Sequence, residues 1–295
     1  MHVLVSRTGN PIPTWEAASP RSLAPHDVRV QVAAAGYTFF DSFVAADHAT
    51  LGLPDLIGLG FDFSGTVVEV GPGVDAVTVG DRVAGLHADP TAPARAHAEQ
   101  VVVPVDDLAR VPDGLDLETA AAVPLNALAA LQALDLLRVT DGSLLVTGAA
   151  GGVGTWATVL AARAGWAVDA LVTPGTEHLA DSLGAKRVLT EVHGRGYDAV
   201  LDAAGLQQAA LAPVVDGGQL VGVKPGWPVP PERDITVTAV TTRPDGQALA
   251  DLLPLAADQT VPVRIAARRP MKDAAAAYAE AGAARGSAGR WILVP

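Results

Sequence analysis

The feature that most constrains the fold is an apolar run that changes abruptly into glycines. Residues 144–147 read Leu-Leu-Val-Thr, residues 148–154 read Gly-Ala-Ala-Gly-Gly-Val-Gly, and a helix-like segment follows over 155–165. This order predicts a strand, a tight turn and a helix N-terminus. Such a terminus presents unpaired N–H groups and a partial positive charge, which together favour a bound phosphate. Glycine lets the backbone approach that phosphate without a Cβ in the way.

The spacing of the turn fits the dinucleotide register G-x-G-x-x-G, with alanine at its first position. We therefore predict the pyrophosphate site of a nicotinamide cofactor, although a glycine cluster after a strand is also often a plain loop. The predicted cofactor-binding residues of the turn are Ala149, Ala150, Gly151, Gly152, Val153 and Gly154.

The segments after the turn support this interpretation. A second strand is predicted over 167–173, a helix over 177–183 and a third strand over 199–202. The order β-α-β-α-β is that of an α/β fold with a doubly wound parallel sheet, the Rossmann arrangement. A β-branched stretch at 235–242 predicts a further strand.

The N-terminal part of the chain has a β-rich pattern. Alternating apolar residues at 28–32 and short apolar runs separated by Gly and Pro predict a small barrel-like domain. Further strands are predicted at 66–70 and 101–104, and a turn with a strand is predicted over 77–83.

The segments on either side of the predicted sheet set the domain limits. Residues 117–137 predict a helix that opens this domain, and a helix at 272–284 ends at the small residues 286–289. A closing strand at 291–294 is able to return to the N-terminal β domain, which makes that domain discontinuous. The predicted domains are 1–117 with 264–295, and 118–263.

Composition narrows the class of protein. The chain has 20 Lys and Arg against 32 Asp and Glu, a net charge of −12, which argues against a nucleic-acid binder. No cysteine is present, so disulfides and thiolate-ligated zinc are excluded. The first residues do not resemble a signal peptide, and the most apolar stretch, 119–134, is interrupted by Pro124, Asn126 and Gln132. We expect a cytoplasmic enzyme that binds neither nucleic acid nor membrane.

Together these segments resemble the medium-chain dehydrogenase/reductase superfamily, in its zinc-free quinone oxidoreductase and enoyl reductase branch. The resemblance implies a GroES-like β-rich domain beside the Rossmann domain, and a homodimer in which the strand at 235–242 is a candidate contact edge. The matching segments are 36–41, 60–71, 79–83, 98–104, 121–125, the glycine-rich turn, 183–185 and 198–202.

Zinc does not fit the residues of this chain. Relatives that depend on zinc carry Gly-His-Glu where this chain has Gly60-Phe61-Asp62, and a phenylalanine has no ligand atom. The seven histidines also lack a short ligand spacing such as H-x-x-x-H. We predict no metal site.

The resemblance implies NADPH as the cofactor. The second strand of the predicted sheet ends at Thr173, where an NAD-selective fold usually has a carboxylate for the ribose 2′-OH. An alternative is that Thr173 simply ends a strand. Relatives often follow this strand with a Lys, but residues 174–178 contain none, so Thr173, Thr176 and His178 are the candidate contacts.

The resemblance also implies a substrate pocket over the nicotinamide, between the two domains. Its wall would include residues 37–41, the helix start at 123–131, Ala203, Val223 and Lys224, and the last three are also predicted to bind the cofactor. Reduction of an enone or quinone develops negative charge on an oxygen, which a hydrogen-bond donor stabilises. The candidate catalytic residues are Thr38, which replaces the family's Asn, together with Tyr37, His48 and Asn126. Alternatively Tyr37 is a core residue, His48 is solvated, and Asn126 binds only backbone.

Two positions depart from enoyl reductases of the branch. A Tyr of those enzymes stands near Ala49 or Phe43, neither of which is a donor, and Ala129 replaces a Thr. The remaining pocket is apolar, with Phe39 and Phe40 nearby, which suits an aromatic or polyketide-like substrate.

The leading prediction is a zinc-independent, NADPH-dependent reductase of quinones or α,β-unsaturated carbonyls. Two alternatives remain. One is an enoyl or tailoring reductase of polyketide metabolism, and the other is a nucleotide-binding protein with little turnover.

Overall fold

The computed structural model describes residues 1–48, 50–138, 142–284 and 289–295. The chain divides into two compact units. Unit 1 comprises Met1–Leu125, Arg243–Gln259 and Val263–Pro295, and unit 2 comprises Asn126–Thr242 and Thr260–Pro262. Ala49 and the predicted helix end at 286–288 lie outside the described residues.

Strands and helices are numbered in chain order. The strands are β1 His2–Arg7, β2 Asn10–Ala17, β3 Asp27–Tyr37, β4 Leu56–Gly58, β5 Asp62–Val70, β6 Arg82–Leu86, β7 Gln100–Pro104, β8 Leu108–Arg110, β9 Ser143–Thr147, β10 Ala167–Leu171, β11 Arg187–Leu189, β12 Tyr197–Asp202, β13 Val214–Gly222, β14 Thr236–Ala239, β15 Ile265–Pro270 and β16 Arg290–Val294. The helices are α1 Phe39–Ala46, α2 Leu117–Ala120, α3 Pro124–Asp135, α4 Gly152–Arg163, α5 Gly246–Ala257 and α6 Ala274–Ala283.

Unit 1 is built on two sheets. The larger one has the order β15-β16-β3-β5-β6-β8, with β7 also paired to β3, and the smaller one has the order β2-β1-β4. Val28, Val30 and Val32 of β3 are buried while the residues between them are not, as their alternation predicts. The C-terminal β16 pairs antiparallel with β3, so the prediction of a closing strand that returns to the N-terminal β domain is confirmed.

Unit 2 contains one parallel sheet with the order β11-β10-β9-β12-β13-β14. In the order of the chain these strands are 3-2-1-4-5-6, the order of a dinucleotide-binding doubly wound sheet. Leu144, Leu145 and Val146 of the central β9 are fully buried, because a parallel sheet is covered on both faces. The predicted α/β fold class is confirmed.

The continuous helix predicted over 117–137 is interrupted. α2 ends at Ala120 and α3 begins at Pro124, because proline lacks an N–H and is accommodated at the first position of a helix. By length and composition alone Leu117–Asp135 is able to cross a membrane, but 61% of its most apolar window is buried inside the protein. The burial of this stretch is typical of a helix in a protein core.

Two predicted elements of unit 2 differ from the structure. The helix predicted at 177–183 is wrong: only a 3-10 turn, Glu177–Leu179, forms there. Its N–H groups bond three residues back, as Ala180 does to Glu177, and Gly184 then turns the chain at φ +80°. The strand predicted at 235–242 is limited to β14.

The division into units also differs from the predicted domain limits. Helix α5, predicted to lie in the cofactor domain, belongs to unit 1. The reason is its close approach to β8, since a Cβ on Gly246 would overlap the carbonyl oxygen of Leu108. Residues 118–125 likewise belong to unit 1.

Candidate active site

The glycine-rich turn connects the central strand of unit 2 to helix α4. The strand β9 ends at Thr147, Gly148 turns the chain with φ +62°, and α4 begins at Gly152. The turn is closed by a hydrogen bond of 2.8 Å from the N–H of Gly151 to the carbonyl of Gly148. Gly151 is the N-cap residue and supplies no side-chain cap, so the first N–H groups of α4 remain available to an anion.

The same turn is too tightly packed for side chains at two of its glycines. A Cβ on Gly154 would overlap the carbonyl oxygen of Gly148 and lie 2.8 Å from the Cα of Ala149. A Cβ on Gly152 would lie 2.5 Å from the amide nitrogen of Asn126. Gly151 and Gly152 are nevertheless exposed. The structure thus forms a narrow backbone cradle, open to solvent, at a helix N-terminus.

The other turn residues support the cradle. Ala149 is fully buried, and its N–H donates to the carbonyl of Leu171 in β10 at 3.1 Å. The carbonyl of Ala149 accepts from the Thr155 hydroxyl at 3.1 Å. Ala150 and Val153 are half-buried. An alanine therefore fits the first motif position, where its own backbone ties the turn to the neighbouring strand.

The residues predicted to contact the cofactor ribose lie just beyond β10. Thr173 and His178 are exposed, and Thr176 is half-buried. The hydroxyl of Thr176 donates to the carbonyl of Thr173 at 2.7 Å, so it shapes this turn. Asp169, inside β10, is bound by Arg187 and by the Tyr197 hydroxyl.

Asp202 organises the loop that follows β12. Its carboxylate accepts from the Thr147 hydroxyl at 2.6 Å and from the N–H groups of Leu206 and Gln207 at 3.0 and 2.8 Å. The Thr147 oxygen accepts in turn from the N–H of Ala204 at 3.1 Å. These bonds hold the half-buried Ala203 and its neighbours beside the glycine-rich turn, since Ala204 lies 3.1 Å from a Cβ placed on Gly148.

Val223 and Lys224 follow the next strand, β13. Val223 is half-buried, whereas Lys224 is exposed and donates from Nζ to the carbonyl of Gly205 at 3.2 Å. Lys224 lines a cavity of about 190 Å³ together with Asp202, Gln207 and Trp227. The predicted residues Ala203, Val223 and Lys224 therefore lie at the carboxyl ends of β12 and β13, where ligands of open α/β sheets bind.

In unit 1, Tyr37 ends strand β3 and Thr38 precedes helix α1. Thr38 is the N-cap residue, and its hydroxyl donates to Asp41 at 2.8 Å. Asp41 also receives the N–H of Gly60 at 3.1 Å. The Tyr37 hydroxyl lies 2.7 Å from the Ser42 hydroxyl, and burial raises the pKa of Tyr37, so the phenol stays protonated. The structure brings these two candidates together.

His48 does not join them. It is 3% exposed, so the alternative of a solvated loop residue is wrong. Its Nδ1 lies 2.9 Å from the carbonyl of Pro54, and its Nε2 lies 3.1 Å from the Ser6 hydroxyl. Both ring nitrogens face protein atoms, which supports a structural role. Asn126 lies in unit 2, where its amide nitrogen is 2.5 Å from a Cβ placed on Gly152 of the glycine-rich turn.

Sequence analysis missed a buried hydrogen-bonded pair beside Tyr37. His97 Nε2 donates to the carbonyl of Gly36 at 3.1 Å, which leaves Nδ1 to accept from the Tyr278 hydroxyl at 2.8 Å. Burial lowers the pKa of His97 and raises the pKa of Tyr278. The Tyr278 ring packs edge-on against Tyr37, with centroids 4.8 Å apart. No local sequence signal joins residues so distant along the chain.

The position of a family metal ligand is occupied by residues that do not fit zinc. Phe61 has no ligand atom, and the buried carboxylate of Asp62 is bound by Arg290 and by the N–H of Leu125. Burial raises the pKa of Asp62 to about 7. Within the described ranges, no three His, Asp or Glu side chains are grouped as metal ligands.

Comparisons with known proteins agree with this architecture. The alcohol dehydrogenase GroES-like domain model matches residues 24–113, and the zinc-binding dehydrogenase model matches residues 173–289. The chain belongs to the medium-chain dehydrogenase/reductase superfamily. The predicted resemblance is therefore confirmed, and so is the pairing of a GroES-like with a Rossmann domain.

Individual relatives and solved structures show how similar the chain is to known proteins. The chain is 40% identical over 193 residues to erythronolide synthase of Saccharopolyspora erythraea, covering 60% of this chain and 5% of the synthase. It is 30% identical to quinone oxidoreductase-like protein 2 of Rattus norvegicus, covering 70% of this chain and 59% of that protein. A quinone oxidoreductase structure from Pseudomonas syringae superposes with a TM-score of 0.80 at 27% identity, covering 100% of this chain and 99% of that one. The chain thus spans less than two thirds of these curated relatives.

Proposed function

We propose that this oxidoreductase uses NADPH to reduce a quinone or the C=C bond of an α,β-unsaturated carbonyl. The observation that carries the proposal is the backbone cradle at the start of α4. Gly152 and Gly154 have no room for a Cβ, yet the turn is open to solvent beside Gly151. A pyrophosphate fits such a cradle because it needs backbone N–H donors and close approach.

The residues around the cradle suggest how the rest of the cofactor is held. The N–H groups of residues 152–154 would bind the pyrophosphate. Thr173, Thr176 and His178 would contact the 2′-phosphate, because none of the three carries a carboxylate that would repel it. Ala203, Val223 and Lys224 would contact the nicotinamide ribose end. When bound, NADPH supplies the hydride.

Unit 1 would supply the groups that polarise the substrate. Hydride added to the β-carbon of an enone leaves negative charge on the carbonyl oxygen. Tyr37 keeps its proton at neutral pH and shares it with Ser42, so the pair is able to donate to that oxygen. The Thr38 hydroxyl is already bound to Asp41 and would have to exchange this bond for the substrate. A proton from solvent then completes the reduction at the α-carbon.

The proposal also covers the oligomeric state and the cellular location of the protein. Strand β14 is the last strand of the parallel sheet, and its outer edge is open to pairing with a second copy. We propose a homodimer formed along this edge, in a protein that works in the cytoplasm on small molecules.

The experiment combines binding and turnover. Purified protein is titrated with NADPH and with NADH by nucleotide fluorescence, and 1,4-benzoquinone or benzalacetone is then added. Tighter binding of NADPH, followed by its oxidation, supports the proposal. Tighter binding of NADH contradicts the cofactor assignment, and binding without oxidation favours a nucleotide-binding protein with little turnover.

A second candidate is the reduction of enoyl thioesters in polyketide metabolism. The similarity to erythronolide synthase favours it, at 40% identity over 193 residues. Crotonyl-CoA separates the two candidates in the same assay. Faster oxidation of NADPH with crotonyl-CoA than with benzalacetone would favour the thioester role.

A further inference from the structure

Arg95 is a buried cation with unmet hydrogen-bonding capacity. It has no exposed surface, in a segment that runs beside β4, where the N–H of Gly58 donates to the carbonyl of Ala92 at 2.8 Å. The Arg95 Nη2 donates to the carbonyl of His87 at 3.1 Å. Its Nε and Nη1 have no hydrogen-bond partner among the described residues, although both are buried. A buried guanidinium without hydrogen-bond partners costs free energy, which a bound anion would offset.

The surroundings of Arg95 do not neutralise it. In the part of the chain that the structure describes, the ion pairs do not include Arg95. The carboxylates of Asp41 and Asp89 act on Arg95 only at longer range, through their negative charge. His87, beside Arg95, also has a buried Nδ1 without a partner. Burial and the charge of Arg95 lower the pKa of His87 to about 4, so the ring is neutral at pH 7.

An aromatic stack leads from Arg95 to the surface. The guanidinium carbon of Arg95 lies 3.9 Å from the centroid of the Phe61 ring. Phe61 contacts Phe40 with centroids 5.5 Å apart, and Phe40 is 42% exposed. Phe39, next to it on α1, is 59% exposed. A planar molecule that packs on this stack would direct one end toward the guanidinium once the Phe61 ring rotates.

We propose that Arg95 binds a carboxylate of the substrate, so that unit 1 selects planar acidic acceptors: aryl enones or quinones that carry a carboxylate. The Nε and Nη1 groups of Arg95 would donate to the carboxylate, and His87 Nδ1 would add a third donor. The aryl ring would pack against Phe40 and Phe61. This inference names the substrate class of the proposed function and rests on it for the reduction step, but carboxylate binding itself requires no hydride transfer.

The test compares two ligands that differ only by a carboxylate group on the ring. Benzalacetone and 4-carboxybenzalacetone are titrated into the protein by calorimetry without nucleotide. Wild-type protein should bind the carboxylate at least about tenfold more tightly, as expected for a charge-assisted hydrogen bond. Arg95→Met should abolish the preference, and Arg95→Lys should keep part of it. Arg110→Met, which removes an exposed Arg of the same unit, is the control and should keep all of it.

Thermal unfolding of the variants without ligand separates ligand binding from a structural role in the core. A structural role would lower the unfolding temperature of Arg95→Met. If Arg95 waits for a ligand, Arg95→Met should unfold at the same or a higher temperature, because an uncompensated charge is removed. An unchanged preference in Arg95→Met, with or without a lower unfolding temperature, overturns the inference, and so does equal wild-type affinity for the two ligands. If Arg95→Met does not fold, Arg95→Lys decides by the same preference.

The two proposals fail separately. Reduction of benzalacetone without Arg95-dependent carboxylate binding would remove only the present inference. Arg95-dependent binding without oxidation of NADPH would remove only the proposed function.

Discussion

The substitution Gly154→Ala probes the cradle most directly. The added Cβ would overlap the carbonyl oxygen of Gly148 and lie 2.8 Å from the Cα of Ala149. Both are backbone atoms, so a rotamer change cannot relieve the overlap and the turn itself must shift. Overpacking of this kind costs about 1–3 kcal/mol. The better helix propensity of alanine returns up to about 1 kcal/mol, so we expect a net loss of up to about 2 kcal/mol.

The effect on NADPH binding should exceed the effect on stability. A displaced N–H loses a charge-assisted bond to phosphate of about 1.5–3 kcal/mol, which is roughly a 10–100-fold increase in Kd. Fluorescence titration measures the Kd, and urea unfolding measures the free energy of unfolding. Gly282→Ala is the matched control, since a Cβ there meets nothing within 4 Å. It should leave the Kd unchanged and stabilise α6 by up to about 1 kcal/mol. A Gly154→Ala variant that binds NADPH like the wild type would refute the reasoning.

Three further predictions concern neighbouring contacts. Gly152→Ala should weaken NADPH binding because its Cβ would meet the amide of Asn126, and adding Asn126→Ala should recover part of the loss in the same titration; no recovery would argue against packing as the cause. Burial lowers the pKa of His87 from 6.5 to about 4 in the folded protein, so a fall in pH through this range should lower the free energy of unfolding by up to about 3 kcal/mol. His87→Gln should therefore reduce the pH dependence of the unfolding free energy in urea, whereas parallel profiles would contradict this. Thr147→Val should cost about 1–3 kcal/mol in urea unfolding, because Asp202 loses a buried donor; an unchanged midpoint would contradict that role.

Local patterns were sufficient to predict the framework of unit 2. The strand β9 is mostly apolar because both sheet faces are covered, and the spacing of the glycines after it indicates a phosphate-binding turn. In the fold, two of these glycines have no space for a Cβ. The same logic failed at 177–183, where apolar residues at helical spacing form only a 3-10 turn between Gly175 and Gly184. The link from α5 to unit 1 depends on the contact of Gly246 with β8, which periodicity does not reveal.

The candidate site shows the same limit more strongly. The cradle was predictable because its residues are consecutive. The pair formed by His97 and Tyr278 was not, since these residues lie 181 positions apart in the chain. Arg95 carries no motif, and its significance comes from burial without partners, a property of the folded chain. For His48, the sequence predicted a catalytic candidate, but in the fold both ring nitrogens contact Pro54 and Ser6 instead.

The central claim is that this chain transfers hydride from a nicotinamide bound at the cradle to carbon. The most direct measurement uses NADPH with deuterium at both C4 positions, benzalacetone and the wild-type protein, with product analysis by mass spectrometry. We predict saturated ketone with one deuterium at the β-carbon, and less of this product in Gly154→Ala at an NADPH concentration near the wild-type Kd. Saturated ketone without deuterium, or no product while NADPH is bound, would contradict the account.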